Sequence, residues 1–191
     1  DDARTGLQPL IDRVLKPQKE GSRWFRIGEE IELGNVTDLR RTLSSAMAEV
    51  FSQTPEIDSE MVVRRSPTSV VINARKKVEL GLLERYGQEA LGIQGDFADK
   101  AIFRCVFLRT GLYREAGNRW RLATPEEIEA PGLAAVWTMV RSFFTEEGTG
   151  KNFQEFVFEL RNPPYGVREG VIPLLLAAGI KAFPTASAIR W

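Results

Sequence analysis

The chain has 191 residues, enough to bury one sizeable core or two small ones, and its 43% hydrophobic and 27% charged composition is that of a folded, non-fibrous protein. Lysines and arginines balance aspartates and glutamates at 26 each, and histidine is absent. This removes the commonest general base and metal ligand, and with them zinc centres and nucleophile–histidine pairs.

No apolar run reaches the roughly 18–20 residues that a membrane span requires, so no membrane partner is expected. A single cysteine, Cys105, excludes an internal disulfide framework and fits a reducing compartment. The start at Asp1-Asp2 and the strand-like Ile189-Arg190-Trp191 ending read as the ends of an excised segment. The charge is unevenly spread. Between Met61 and Pro125 stand twelve basic and six acidic residues, a local excess of +6 that the flanks offset. Such a field can attract an anionic partner.

Taken in order, Leu7, Leu10, Ile11, Val14 and Leu15 predict a short amphipathic helix ending before Pro17. Ser22–Leu33 reads as a short hairpin or an extended segment, with a turn at Gly28. Thr37 is placed to cap a helix carrying Leu39, Leu43, Met47 and Val50, which ends near Gln53. After a short amphipathic piece at 57–63, Ser66, Pro67 and Ser69 mark the start of a helix to about Tyr86, with Val71, Ala74, Val78 and Leu82 inward. A looser segment, 87–95, leads to a helix from about Phe97 to Arg109, stopped by Gly111. Leu112–Ala123 predicts a β-hairpin around Ala116-Gly117-Asn118.

Helix, helix, basic hairpin is the order of a winged-helix unit. Glu126, Glu127 and Glu129 stand at the expected start of the next helix, where carboxylates suit the dipole. Leu133, Val136, Trp137, Val140, Phe143 and Phe144 form its apolar stripe. A further helix carrying Phe153, Phe156, Val157 and Leu160 is stopped by Pro163-Pro164-Tyr165-Gly166. The helix that follows, beginning near Gly170, is apolar nearly all round and so belongs in a core. With an extended end it would repeat the winged-helix order in truncated form.

The expected fold is therefore mainly α: a helical bundle with one or two winged-helix-like units and short β-hairpins. The expected divisions are an N-terminal helical segment at 1–60, a winged-helix-like unit at 61–125 and a helical unit at 126–191.

Chemical signals are sparse. Gly148-Thr149-Gly150-Lys151-Asn152 lacks the leading glycine and the hydroxyl residue of a phosphate loop, so no nucleotide cofactor is expected. Glu29, Glu30, Glu32 and Glu126, Glu127, Glu129 read as a solvated turn and a helix start rather than an acid/base pair or metal site. Cys105 reads as a buried thiol, and Tyr165 as a packing ring. No catalytic or metal-binding residue is expected.

The basic residues carry the functional reading. Lys100 and Arg104 lie four apart on the second helix of the first winged unit. Arg114, Arg119 and Arg121 decorate its hairpin, and Arg64, Arg75, Lys76 and Lys77 form a secondary group. The first five could contact phosphates of double-stranded DNA without sequence preference. The alternative is a structural or protein-interaction module whose basic middle third meets the acidic flanks within the same fold. A continuous positive face favours DNA; intramolecular pairing favours scaffolding.

One pattern goes further. Phe51-Ser52-Gln53-Thr54-Pro55-Glu56-Ile57, Glu60, Arg64-Arg65, Asn73-Ala74-Arg75-Lys76, Leu91-Gly92-Ile93-Gln94-Gly95, Thr110-Gly111-Leu112 and Pro163-Pro164-Tyr165-Gly166 through Leu176 together resemble a segment of very large bacterial P-loop ATPases of phage-defence (BREX-like) clusters. The resemblance spans roughly residues 40–183 and lies outside the nucleotide-binding core. It implies a non-catalytic accessory region of a DNA-associated ATPase in a bacterial cytoplasm, with other domains of the parent protein as partners.

Overall fold

The computed structural model describes residues 23–64, 66–145 and 152–184. The helix expected at 7–15, the glycine-rich link at 146–151 and the extended end after Pro184 lie outside the described residues. The fold is mainly helical with two small antiparallel hairpins, and the chain divides into two compact units, 1–50 and 51–191.

In the first unit, β1 (Trp24–Arg26) pairs with β2 (Glu29–Ile31) in the register Trp24↔Ile31, Phe25↔Glu30, Arg26↔Glu29. The turn uses Ile27 at φ 52° and Gly28 at φ 84°. A left-handed backbone is routine for glycine and strained for a β-branched residue. Helix α1 (Val36–Val50) follows, and its cap differs from the expected one. The Asn35 side chain accepts from the Asp38 amide at 3.0 Å, and the Asn35 carbonyl accepts from Leu39 at 3.2 Å, so the cap is Asn35 rather than Thr37. Asn places a short acceptor over the first-turn amides as well as Thr does.

The second unit holds one continuous core. Its elements are α2 (Glu60–Val63), α3 (Ser69–Glu84), α4 (Ala98–Phe103) with a π-helical turn at Arg104–Leu108, β3 (Tyr113–Ala116), β4 (Arg119–Leu122), α5 (Pro131–Thr145), α6 (Phe153–Arg161) and α7 (Ile172–Ala182). Helix α3 is capped by Thr68, whose hydroxyl accepts from Val71 at 3.5 Å, and not by Ser66 or Ser69. Ala74, Val78 and Leu82 are buried as the spacing predicts. The loose segment contains a 3-10 turn, Glu89–Gly92, in which Ala90 and Leu91 have φ of 46° and 54°. Leu91 is nevertheless fully buried, so its strain is held by packing.

Helix α5 begins later than the acids suggest. Glu126 and Glu127 belong to a separate 3-10 turn, Pro125–Glu127, closed by a Thr124/Glu127 capping box. Asn152 caps α6 by accepting from Gln154 at 2.9 Å and Glu155 at 3.4 Å.

Helix α7 is the centre of this unit. It packs on α3 and α5, and Ile172, Leu174, Leu175, Ala177, Ala178 and Gly179 are all buried. Full burial of a leucine-sized side chain contributes about 1.5–3 kcal/mol, which is why so apolar a helix sits inside. Its entry is equally tight. A Cβ on Gly170 would lie 2.2 Å from the Val62 carbonyl oxygen, and one on Gly179 would lie 2.4 Å from Phe144.

Candidate nucleic-acid interface

The hairpin β3–β4 is two-faced. Its register, Tyr113↔Leu122, Arg114↔Arg121, Glu115↔Trp120 and Ala116↔Arg119, puts Tyr113, Trp120 and Leu122 on one side and Arg114, Arg119 and Arg121 on the other. Gly117, at φ 65°, supplies the left-handed turn residue.

The aromatic side faces inward. Tyr113 stacks on Trp120 at 5.8 Å and meets Phe103 of α4 edge-on at 5.4 Å and Tyr86 at 6.1 Å. Its hydroxyl donates to the Gln88 carbonyl at 2.9 Å and accepts from the Gly87 amide at 3.0 Å. Burial pushes this phenol up to about 12. The Tyr86 hydroxyl accepts from the Leu122 amide at 3.2 Å, fastening the second strand.

The arginine side therefore turns away from α4, which bears Lys100 and, at its end, Arg104. Arg114 and Arg121 are also direct cross-strand neighbours, an arrangement that repels unless an anion intervenes. That anion is Glu127. Arg121 donates to both its carboxylate oxygens, at 2.7 and 2.5 Å, and Arg114 donates to its backbone carbonyl at 3.2 Å. The Glu127 carboxylate also accepts from the Thr124 amide at 2.8 Å.

The Arg121 fork, followed by the Thr124 amide, holds the Glu127 carboxyl at about 2. A depressed folded-state pKa contributes stability that is present above the unfolded value, about 4.3, and lost as pH falls through the folded one. We expect the melting-temperature difference between the wild type and Glu127→Gln to be largest near neutrality and to vanish as pH falls toward about 2. Thermal melts across that range check this; a difference independent of pH would refute it.

Other cations are similarly engaged. Arg104 pairs with Asp96 at 3.0 Å, Lys77 with Asp99 at 3.8 Å, Arg75 with Glu79 at 3.1 Å, Arg64 with Glu60 at 4.0 Å and Arg109 with Asp58 at 3.9 Å. Asp99 is 8% exposed, and its other oxygen accepts from the Lys100 amide at 2.9 Å. Among the described residues, the Lys100, Arg119 and Lys76 side chains have neither an ion-pair nor a hydrogen-bond partner. The acidic partners drawn from outside the basic third, Asp58, Glu60 and Glu127, were not singled out as ion-pair partners by their sequence positions. For Glu127 a signal existed: Thr124-Pro125-Glu126-Glu127 is a capping-box pattern.

The remaining candidates are quickly placed. Glu30 is held by Arg23 at 2.8 and 2.5 Å, and Glu126 by Arg141 at 2.6 Å. Cys105 is half-buried, with the Arg109 guanidinium 3.9 Å from its sulfur. Tyr165 packs against the core, following the cis Pro163–Pro164 peptide. Among the described residues no group of three or more acidic or cysteine side chains is placed to hold a metal ion, and no helix is long and apolar enough to cross a membrane. Comparison of the chain with protein-family models, curated proteins and solved structures gives no match.

Proposed function

We propose that this chain is a non-catalytic docking module of a larger protein, in which the basic middle third is used mainly to hold the fold together. The observation that carries this reading is the pairing of cations with carboxylates of the same chain, above all the two-pronged Arg121–Glu127 bridge. An arginine with both prongs on a carboxylate is not free to grip a phosphate. Arg109–Asp58 and Arg64–Glu60, at 3.9 and 4.0 Å and well exposed, are looser contacts of the basic third with its acidic flank and add little to stability. The resemblance to a segment of very large phage-defence ATPases favours other domains of such a parent as the docking partner.

A second reading, DNA contact through a winged-helix-like α3–α4–hairpin unit, draws on the Lys100 and Arg119 side chains, which have no ion-pair partner among the described residues. Two free cations would give weak, non-specific binding with a shallow salt slope. Fluorescence anisotropy of a labelled duplex at about 50 and 200 mM salt separates the two. The docking reading expects a flat titration at the lower salt. Binding at the lower salt that is weaker at the higher salt, and is lost in Arg119→Glu, would overturn it in favour of DNA.

A further inference from the structure

Two stretches that stand far apart in the sequence, Phe51–Thr54 and the Pro163–Gly166 turn, meet within the second unit. The turn is firmly held from behind. Tyr165 and Gly166 both donate to the Asn162 carbonyl, at 3.0 and 3.1 Å, and Val167 donates to the Leu160 carbonyl at 2.8 Å. Pro163 and Pro164 have no N–H, so the edge they form can only accept hydrogen bonds. The Pro164 carbonyl accepts from the Gln53 amide at 3.0 Å.

Two glycines let the segment come this close. A Cβ on Gly166 would lie 2.7 Å from the Phe51 ring and 3.2 Å from the Thr54 hydroxyl. One on Gly132, in the first turn of α5, would lie 2.4 Å from the Thr54 carbonyl oxygen and 2.8 Å from its carbon. The turn and Gly132 thus form a slot that fits bare backbone, and Phe51–Thr54 fills it.

Little holds the segment there. Ser52, Gln53 and Thr54 are exposed and Phe51 is half-buried. The bond from the Thr54 amide to the Phe51 carbonyl, at 3.3 Å, is internal to the segment, whereas the Gln53 bond reaches across to the turn. Burial resumes at Pro55 and, beyond it, at Ser59 and Val62, so the chain is anchored to the core only past the segment. Backbone with few buried apolar contacts and exposed hydrogen bonds opens locally, at a lower cost than global unfolding.

We propose that Phe51–Thr54 is a detachable strap, seated in the slot formed by the Pro163–Gly166 turn and Gly132, and that it lifts off by local opening while the core behind it stays folded. The inference rests on contacts inside the second unit and is independent of the docking reading.

Native-state amide hydrogen exchange of the full chain, read residue by residue by NMR over a series of sub-denaturing urea concentrations, tests it. The Gln53 amide should be protected, and its exchange should barely respond to urea, since lifting the strap exposes little surface. The Leu175 amide, bonded to the Val171 carbonyl at the start of the buried α7, should exchange faster with urea in step with global unfolding. Gly132→Ala pushes a methyl group against the Thr54 carbonyl and should speed Gln53 exchange about tenfold, the worth of one hydrogen bond. Phe51→Ala, which adds nothing to the turn or to α5, should act in the same direction and decides the matter if Gly132→Ala does not fold. A Gln53 amide without protection, one whose exchange follows urea as that of Leu175 does, or an unchanged rate in either folded variant would each overturn the proposal.

Discussion

Replacing Trp137 with alanine is expected to cost the second unit about 4 kcal/mol of stability, the middle of the range for removing a large buried aromatic. The indole is fully buried on α5 and packs on Phe183 with ring centres 5.0 Å apart. Its N–H donates to the Ala123 carbonyl at 2.8 Å, tying the end of the β3–β4 hairpin to the helical core. Alanine removes the ring and the donor together. Trp137→Phe keeps much of the ring and loses the donor, so it should cost less, about 1–3 kcal/mol, mostly from the stranded carbonyl. Urea denaturation followed by circular dichroism measures both. A loss below about 1 kcal/mol in the alanine variant would mean that the pocket collapses around the missing ring.

Gly170→Ala is expected to cost about 3 kcal/mol, at the top of the usual overpacking range. The obstacle is not conformational, because Gly170 is not among the glycines with positive φ. It is the Val62 backbone, whose carbonyl oxygen would lie 2.2 Å and carbonyl carbon 3.1 Å from the new methyl group. A backbone carbonyl cannot swing aside as a side chain can, so α2 or the start of α7 must move. Gly111→Ala makes the comparison. Gly111 has open space around its Cβ position but a φ of 71°, and its cost of about 1 kcal/mol is purely one of backbone conformation. If the two variants lose equal stability in urea, the close approach to Val62 is not what selects glycine at 170.

Much of the secondary structure was legible because it rests on local rules. Alternating apolar residues around Gly117 gave the second hairpin, and the spacing of Ala74, Val78 and Leu82 gave the inward face of α3. The stop at Pro163-Pro164 and the all-round apolarity of Ile172–Ala182 gave a terminated helix followed by a buried one. Caps were less legible. Asn35 and Thr37, or Thr68 and its neighbouring serines, offer chemically equivalent acceptors within two residues, and only the path of the chain chooses between them. The π-helical turn at Arg104–Leu108 carries no proline or glycine to announce it.

The candidate site divides along the same line. Composition and order alone determined a mainly helical chain with short hairpins, a chain without histidine, and a basic excess between Met61 and Pro125. Only the tertiary structure decided what those charges do. Arg121 meets a glutamate six residues on, Arg109 an aspartate fifty-one residues back, and the hairpin arginines turn away from α4 because Tyr113 and Trp120 take the inward side. A sequence records the sign of each charge, but Coulomb energy depends on separation through space. Separation is set by packing of the core, which no local rule contains.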